Sequence, residues 1–383
     1  MDASTLETCT AVCRTWRKLG QDEALWRSLH LAQPSWRVRL PSEGITSLAP
    51  RSALKPVTLP TLAESRTIPD FPGWRDLHQT QQVLDRRWRT GELRAWYLEG
   101  HRDSVYCVQF DQEKVVSGSR DRTVRIWDPK SGEPLHTLSG HAGSVLCLRY
   151  NDQWMVTGSS DSTVIVWSMR TLKPVGQFRG HTGGVLDVAF DDEVIVSGSK
   201  DMTIHIRWKS KTGDAGHIRA LRGHLGPVNA VQMCGDRIVS AGGDAAIRVW
   251  DRSSGECLRV LVGHIRGLAC VRYDGKTIVS GGNDQQIRVW DAESGKCLHI
   301  LEGHVALVRS LWFDHRWIVS ASYDRTIKVW DRATGKVVLD LMNGHQSWIF
   351  DVQFDGSRIV SASQDRKVVI WDFGFNLDVR YVG

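Results

Sequence analysis

The stretch from His101 to Asp128, HRDSVYCVQFDQEKVVSGSRDRTVRIWD, recurs seven times in this chain with substitutions. A Gly-His pair opens each copy, and the histidines are His101, His141, His181, His224, His264, His304 and His345. Successive spacings are 40, 40, 43, 40, 40 and 41 residues. An alternating apolar run then leads to a hydroxyl residue: Ser117, Thr157, Ser197, Ser240, Ser280, Ser320 or Ser361. A turn aspartate follows, at Asp121, Asp161, Asp201, Asp244, Asp284, Asp324 and Asp365. Last comes a tryptophan, at Trp127, Trp167, Trp208, Trp250, Trp290, Trp330 and Trp371. A fixed period near 40 with four short strand-like segments is the signature of a propeller array. The fold class expected is all-β, a seven-bladed propeller over 92–372.

In the first copy the strands fall at about 104–110, 114–119, 123–128 and 133–138, with tight turns around Asp111 and Asp121. The third copy, HIRWKS, carries one extra residue before Trp208, which predicts a bulge in that strand. ELRAWYL, residues 92–98, matches the end of a repeat but has no Asp turn or Trp before it. The seventh copy ends at Trp371-Asp372 and lacks that final strand. The two ends are therefore expected to meet, with 92–98 completing the last blade and removing an open edge.

Outside the array, GWRDLHQTQQVLDRRWRTG places Trp74, Leu77, Gln81, Leu84 and Trp88 at helical spacing, predicting a linker helix over 74–91 that ends at Gly91. Residues 31–73 hold seven of the eleven prolines and read as an irregular linker. Residues 1–30 read as two short helices, with Leu6, Cys9, Val12, Cys13 and Trp16 on one face and Leu25, Trp26 and Leu29 on the next. Residues 373–383 form a tail.

The formal charge of +6 is spread along the chain. Arg86-Arg87-Trp88-Arg89 reads as a solvated helix face rather than a phosphate contact, so nucleic acid is not an expected partner. No apolar run reaches membrane-spanning length, and no secretory signal is visible at the start. The eight cysteines form no C-x-x-C pair, and Cys107, Cys147 and Cys270 share one strand position as small buried hydrophobes. A cytoplasmic or nuclear location is expected. The recurring Ser, His and Asp do not read as a hydrolase: seven equivalent sets cannot make one active site, and no G-x-S-x-G elbow accompanies them. No metal-ligand spacing or phosphate loop occurs, so neither catalysis, nor a cofactor, nor a small-molecule substrate is expected.

The seven in-phase copies resemble WD40 repeats. The resemblance implies that in each copy the His, Ser/Thr, Asp and Trp named above form a buried hydrogen-bonded tetrad. "VCRTW" (12–16) followed by "LWRSL" (25–29) resembles the C-terminal half of an F-box. The family's Leu-Pro opening is absent before Leu6, so a half F-box is expected. F-box and propeller on one chain is a known pairing, in which 74–91 resembles the joining helix. It implies a substrate-recognition adaptor of an SCF-type, cullin–RING ubiquitin ligase. Val12, Trp16, Leu25 and Trp26 would then dock on the ligase adaptor subunit, and the propeller would bind a degron peptide. The alternative is a WD40 interaction scaffold with no ligase connection.

In WD40 rings three places per blade line the entrance face: the third and fifth residues from the tetrad His, and the one before the turn Asp. Here those places are mostly small in blades 2 to 5. Blades 6, 7 and 1, adjacent once the ring closes, contribute Arg309, Tyr323, Trp348, Phe350, Tyr106 and Arg120. Aromatics mixed with arginine are the composition of peptide hot spots. Only Arg309 stands where phosphodegron receptors carry several strand arginines, which argues against strict phosphate dependence.

Overall fold

The computed structural model describes residues 21–33, 36, 73–208 and 218–381. Within them the repeats form seven four-stranded antiparallel sheets. In blade 1 these are β2 (Val105–Phe110), β3 (Val115–Ser119), β4 (Thr123–Trp127) and β5 (Pro134–Ser139). The inner strands are built from β-branched and small residues that bury both faces, as VVSGS of β3 does throughout. Apolar side chains of neighbouring blades interlock. Val105, Val108, Phe110 and Trp127 of blade 1, for example, pack on Val360, Ala362, Val368 and Ile370 of blade 7.

Blade 7 is made from both ends of the array. β1 (Arg94–Leu98) pairs antiparallel with β28 (Val368–Asp372), from Arg94 opposite Asp372 to Leu98 opposite Val368. Each β28 backbone group that would face solvent at an open edge meets a partner instead.

Blade 3 departs from the expectation of a bulge. Its third strand, β12 (Ile204–Trp208), keeps regular register on β11 (Val194–Ser199), with Ser197 opposite His205 as Ser117 is opposite Arg125. The extra residue is absorbed by side-chain identity. Two residues beyond the Ser partner stands Trp127 in blade 1 but Arg207 in blade 3. Trp208 falls one place further, on the opposite face of the strand.

The helices sit at the other end of the ring from the His loops. α1 spans Glu23–Leu31 and α2 spans Trp74–Thr90. Asp22 caps α1 by accepting from the Ala24 amide at 2.9 Å, and Glu23 accepts from the Trp74 amide at 2.6 Å, joining the two helices. All five residues of the periodic face of α2 are buried, and Gly91 ends it at φ 76° with its amide on the Arg87 carbonyl. Trp88 stacks on Phe373 (ring centroids 4.2 Å apart) and donates to the Gly356 carbonyl at 3.1 Å. The basic run is therefore not a solvated face. Arg87 is buried and donates to the carbonyls of Phe373 (2.8 Å) and Phe375 (2.9 Å), while Arg86 and Arg89 stay exposed. Asp85 pairs with Arg316. Gly356 and Arg316 lie in the turns after the innermost strands of blades 7 and 6. Those strands start at the His loops, so α2 is fixed to the face opposite the entrance.

Candidate functional site

The tetrads fix the entrance loops. In blade 1 the His101 Nδ1–Asp121, His101 Nε2–Ser117 and Trp127 Nε1–Ser117 distances are each 2.8 Å. The same three contacts recur in blades 2, 4, 5, 6 and 7. Burial holds the His101 imidazole below its ordinary value, against the pull of Asp121. Burial would raise the Asp121 carboxyl, but hydrogen bonds from His101, Thr123 and the Arg102 amide outweigh it and leave the group ionised. A neutral ring beside a carboxylate carries its proton on Nδ1. Nε2 then accepts from the Ser117 hydroxyl, whose oxygen accepts from the Trp127 indole. Every group in the relay is satisfied.

Blade 3 holds His181 to Asp201 at 2.8 Å and to Ser197 at 2.9 Å, but Trp208 is not its fourth member. Arg207 takes that place, donates to the Arg179 carbonyl at 2.7 Å and lies 4.6 Å over Phe178. His205 stacks on His181, with ring centroids 3.8 Å apart and planes 11° from parallel.

Two acidic residues missed by the sequence reading stitch the blades at the axis. Asp187 accepts from the Val231 amide of blade 4 at 3.0 Å. Asp351 accepts from the Val108 amide of blade 1 at 2.9 Å and the Ser310 hydroxyl of blade 6 at 2.6 Å. They occupy the place that holds Cys107, Cys147 and Cys270 elsewhere. Those thiols are buried, which pushes Cys270 up to about 12. The signal was an acidic residue at a repeat position that elsewhere holds only Cys, Ala or Ser. Below them Arg149 and Arg272 flank the ring of Trp312, at 5.8 and 4.7 Å. The axial cavity is about 40 Å³, enough for water but far below the roughly 300 Å³ of a small-ligand pocket.

The entrance surface has a simple construction. In every blade the residue before the turn Asp donates its amide to the carbonyl of the third residue of the His loop, as Tyr323 does to Leu307 (3.0 Å) and Gln364 to Trp348 (2.9 Å). The fifth residues, Tyr106, Leu146, Leu186, Asn229, Ala269, Arg309 and Phe350, ring the axial cavity. Across blades, the residue before the Asp meets the third residue of the next blade. In blades 4 and 5 this contact is so close that a Cβ on Gly267 would lie 2.9 Å from the Gly243 carbonyl oxygen.

In blades 6, 7 and 1 the same places hold a continuous aromatic ladder. Trp348 stacks on Tyr323 (4.6 Å, 4°), Tyr323 meets Phe350 edge-on (5.8 Å, 80°), and Phe350 meets Tyr106 (4.9 Å). Trp348 is 47% exposed, whereas Phe350 is buried and supports Tyr323 and Tyr106. Burial pushes the Tyr106 phenol up, against the opposing charges of Arg120 and Arg309. Arg120 stands 3.8 Å from Asp103 in a half-exposed pair. Arg309 reaches only the Ala269 carbonyl, at 3.4 Å, and makes no carboxylate contact among the described residues. The six residues singled out in the sequence thus lie together on the entrance face.

The comparisons fit this architecture. The WD domain, G-beta repeat model matches at 93–128, 132–168, 172–207, 216–251, 255–291, 295–331 and 336–372. The F-box-like model matches residues 1–32. The chain belongs to the F-box/WD-repeat family. It is 33% identical over 96 residues to the "Probable E3 ubiquitin ligase complex SCF subunit sconB" of Penicillium rubens, covering 25% of this chain and 14% of that protein. It is 28% identical over 143 residues to an F-box protein of Saccharomyces cerevisiae, covering 36% and 22%. The "F-box/WD repeat-containing protein 7" of Drosophila melanogaster is 33% identical over 145 residues, covering 36% and 9%. The matched stretches thus span less than a quarter of these relatives' own length.

Of the family's F-box positions, Val12 and Trp16 lie outside the described residues. Leu25 is partly exposed on α1. Trp26 is wholly buried, with the His78 ring 5.3 Å away and Arg75 5.9 Å over its face. It holds α1 to α2 and offers no surface to a partner.

Proposed function

We propose that this F-box/WD-repeat chain is the substrate-recognition adaptor of an SCF-type, cullin–RING ubiquitin ligase. It presents a degron peptide on the entrance face and docks on the ligase adaptor subunit through its F-box-like segment. The observation that carries the reading is the aromatic ladder with Arg309 and Arg120 at one end of a ring whose other end is locked to α2. A peptide side chain can stack on Trp348 and Tyr323 while Arg309 pairs a carboxylate or phosphate. The names of the fungal relatives support the ligase connection. The contribution is proximity: a bound substrate's lysine is held near the ubiquitin-loaded enzyme, with no chemistry from this chain. A cytoplasmic or nuclear location belongs to the same reading.

The test is affinity purification with mass spectrometry of three forms: wild type, a deletion of residues 1–30, and Tyr323→Ala/Trp348→Ala. The deletion should lose the ligase adaptor and cullin but keep the other partners, and the double substitution should do the reverse. Retention of cullin by the deletion would refute the docking assignment. A wild type that brings down no ligase subunit would favour a WD40 scaffold.

A further inference from the structure

We propose that the entrance-side surface of blades 4 to 6 is a second docking strip for an acidic, aliphatic-bearing segment of a partner protein. It is continuous with the aromatic ladder and rests on the ladder's reading as a peptide site. The residue after the tetrad His is Arg102, Ala142, Thr182 and Gln346 in blades 1, 2, 3 and 7. In blades 4, 5 and 6 it is Leu225, Ile265 and Val305, which are 83%, 80% and 77% exposed, with Val262 of the blade 5 loop at 76%. Scattered single apolar side chains are ordinary on a surface, but the same place turned aliphatic in three successive blades makes a strip.

These side chains are held outward. The amides of Leu225, Ile265 and Val305 donate to Asp244, Asp284 and Asp324 at 2.9, 3.2 and 3.2 Å, so the loops cannot fold them in without breaking tetrad contacts. The strip joins the ladder at blade 6, where the Val305 loop also carries Leu307, whose carbonyl receives the Tyr323 amide.

Charge selects the occupant. Arg222 and Arg266 lie in the strip's own loops and Arg325 follows the blade 6 turn Asp, against one carboxylate in those loops, Glu302, which accepts from Gln286 Nε2 at 2.8 Å. None of the three arginines makes an ion pair among the described residues. A second copy would bring these arginines against themselves, whereas an acidic segment would pair them as its aliphatic side chains cover the strip.

The probe is a displayed library of random peptides, panned against the whole chain. Enriched peptides should combine Asp or Glu with at least two aliphatic residues. Leu225→Ser/Ile265→Ser/Val305→Ser should weaken them about tenfold or more, the scale expected for losing part of an apolar contact. It should melt like the wild type, since the altered side chains are exposed. Unchanged binding by the triple variant, or enrichment of no peptide, would overturn the proposal. So would a dimer that dissolves in the triple variant, which would give the strip to a second copy. Tyr323→Ala/Trp348→Ala, measured on the same peptides, separates the two sites. Loss there with unchanged binding by the triple variant would leave the ladder standing and remove the strip; the reverse would remove the ladder.

Discussion

At the scale of single residues, the tetrad hydroxyl is the point where two buried groups depend on one atom. Replacing Ser240 by Ala strands both His224 Nε2 and the Trp250 indole, which should cost about 3 kcal/mol. Ser197→Ala in blade 3 strands His181 alone and should cost about half as much, measured by denaturant unfolding. Equal costs would mean that the indole contact adds nothing. The imidazoles also predict a pH response. Burial, then the neighbouring His181, push His205 from 6.5 down to about 4, and burial likewise lowers His101, His141, His181, His224 and His264. Groups that release protons on folding penalise the folded state once the pH falls below their unfolded value. Asp121, Asp161, Asp201, Asp244, Asp324 and Asp365, held below 3.8, add a further loss in more acid solution, as Asp161 does at about 2. Tm should therefore decline as pH falls from 6.5 towards 4, and more steeply below 3.8. A Tm that rises on acidification over that range would contradict the neutral-imidazole relay. The members of six of the seven tetrads stood at repeated spacings, and the resemblance to WD40 repeats implied that they bond to one another. The seventh was not legible in this way, because "RW" offers two candidates for one place and only strand register decides between them.

Among the elements, β1 has the least sequence of its own and the largest structural consequence. Removing 92–98 should bare the β28 edge around Val369 and Trp371, and the loss should spread because each blade rests on its neighbours. We expect a lower Tm and a broader transition by calorimetry; a transition matching the wild type would disprove closure through β1. This strand was readable because it matched the end of a repeat that lacked its beginning. The α2 helix was readable by period, but its docking was not. Arg87 and Trp88 sat inside a run whose composition suggested solvent, and the carbonyls and rings at 373–375, with Gly356, Phe354 and Trp317 around Trp88, explain their burial. The expected bulge in β12 failed for a related reason: an added residue can change which side chain faces inward while leaving the ladder regular.

At the scale of the molecule, the ring separates two surfaces and holds them in fixed relation. Trp88, Arg87 and Asp85 lock the helical end to blades 6 and 7, and the aromatic ladder lies over those blades at the opposite end. The members of the ladder were legible as a contrast between repeats. Their stacking order was not, since it depends on which positions of adjacent blades touch. The axial aspartates were equally hidden, because their partners in other blades, backbone amides and the Ser310 hydroxyl, lie roughly 40 residues or more away. The receptor reading requires that what the ladder holds is what the ligase modifies. The direct measurement is ubiquitin transfer in a reconstituted reaction, using the chain purified with its bound proteins and supplied with ubiquitin-activating and -conjugating enzymes and the cullin–RING core. We predict that proteins retained by the wild type but lost from Tyr323→Ala/Trp348→Ala become ubiquitinated, and that the modification disappears when residues 1–30 are deleted. Ladder-dependent proteins that stay unmodified, or are modified equally without residues 1–30, would contradict the receptor assignment.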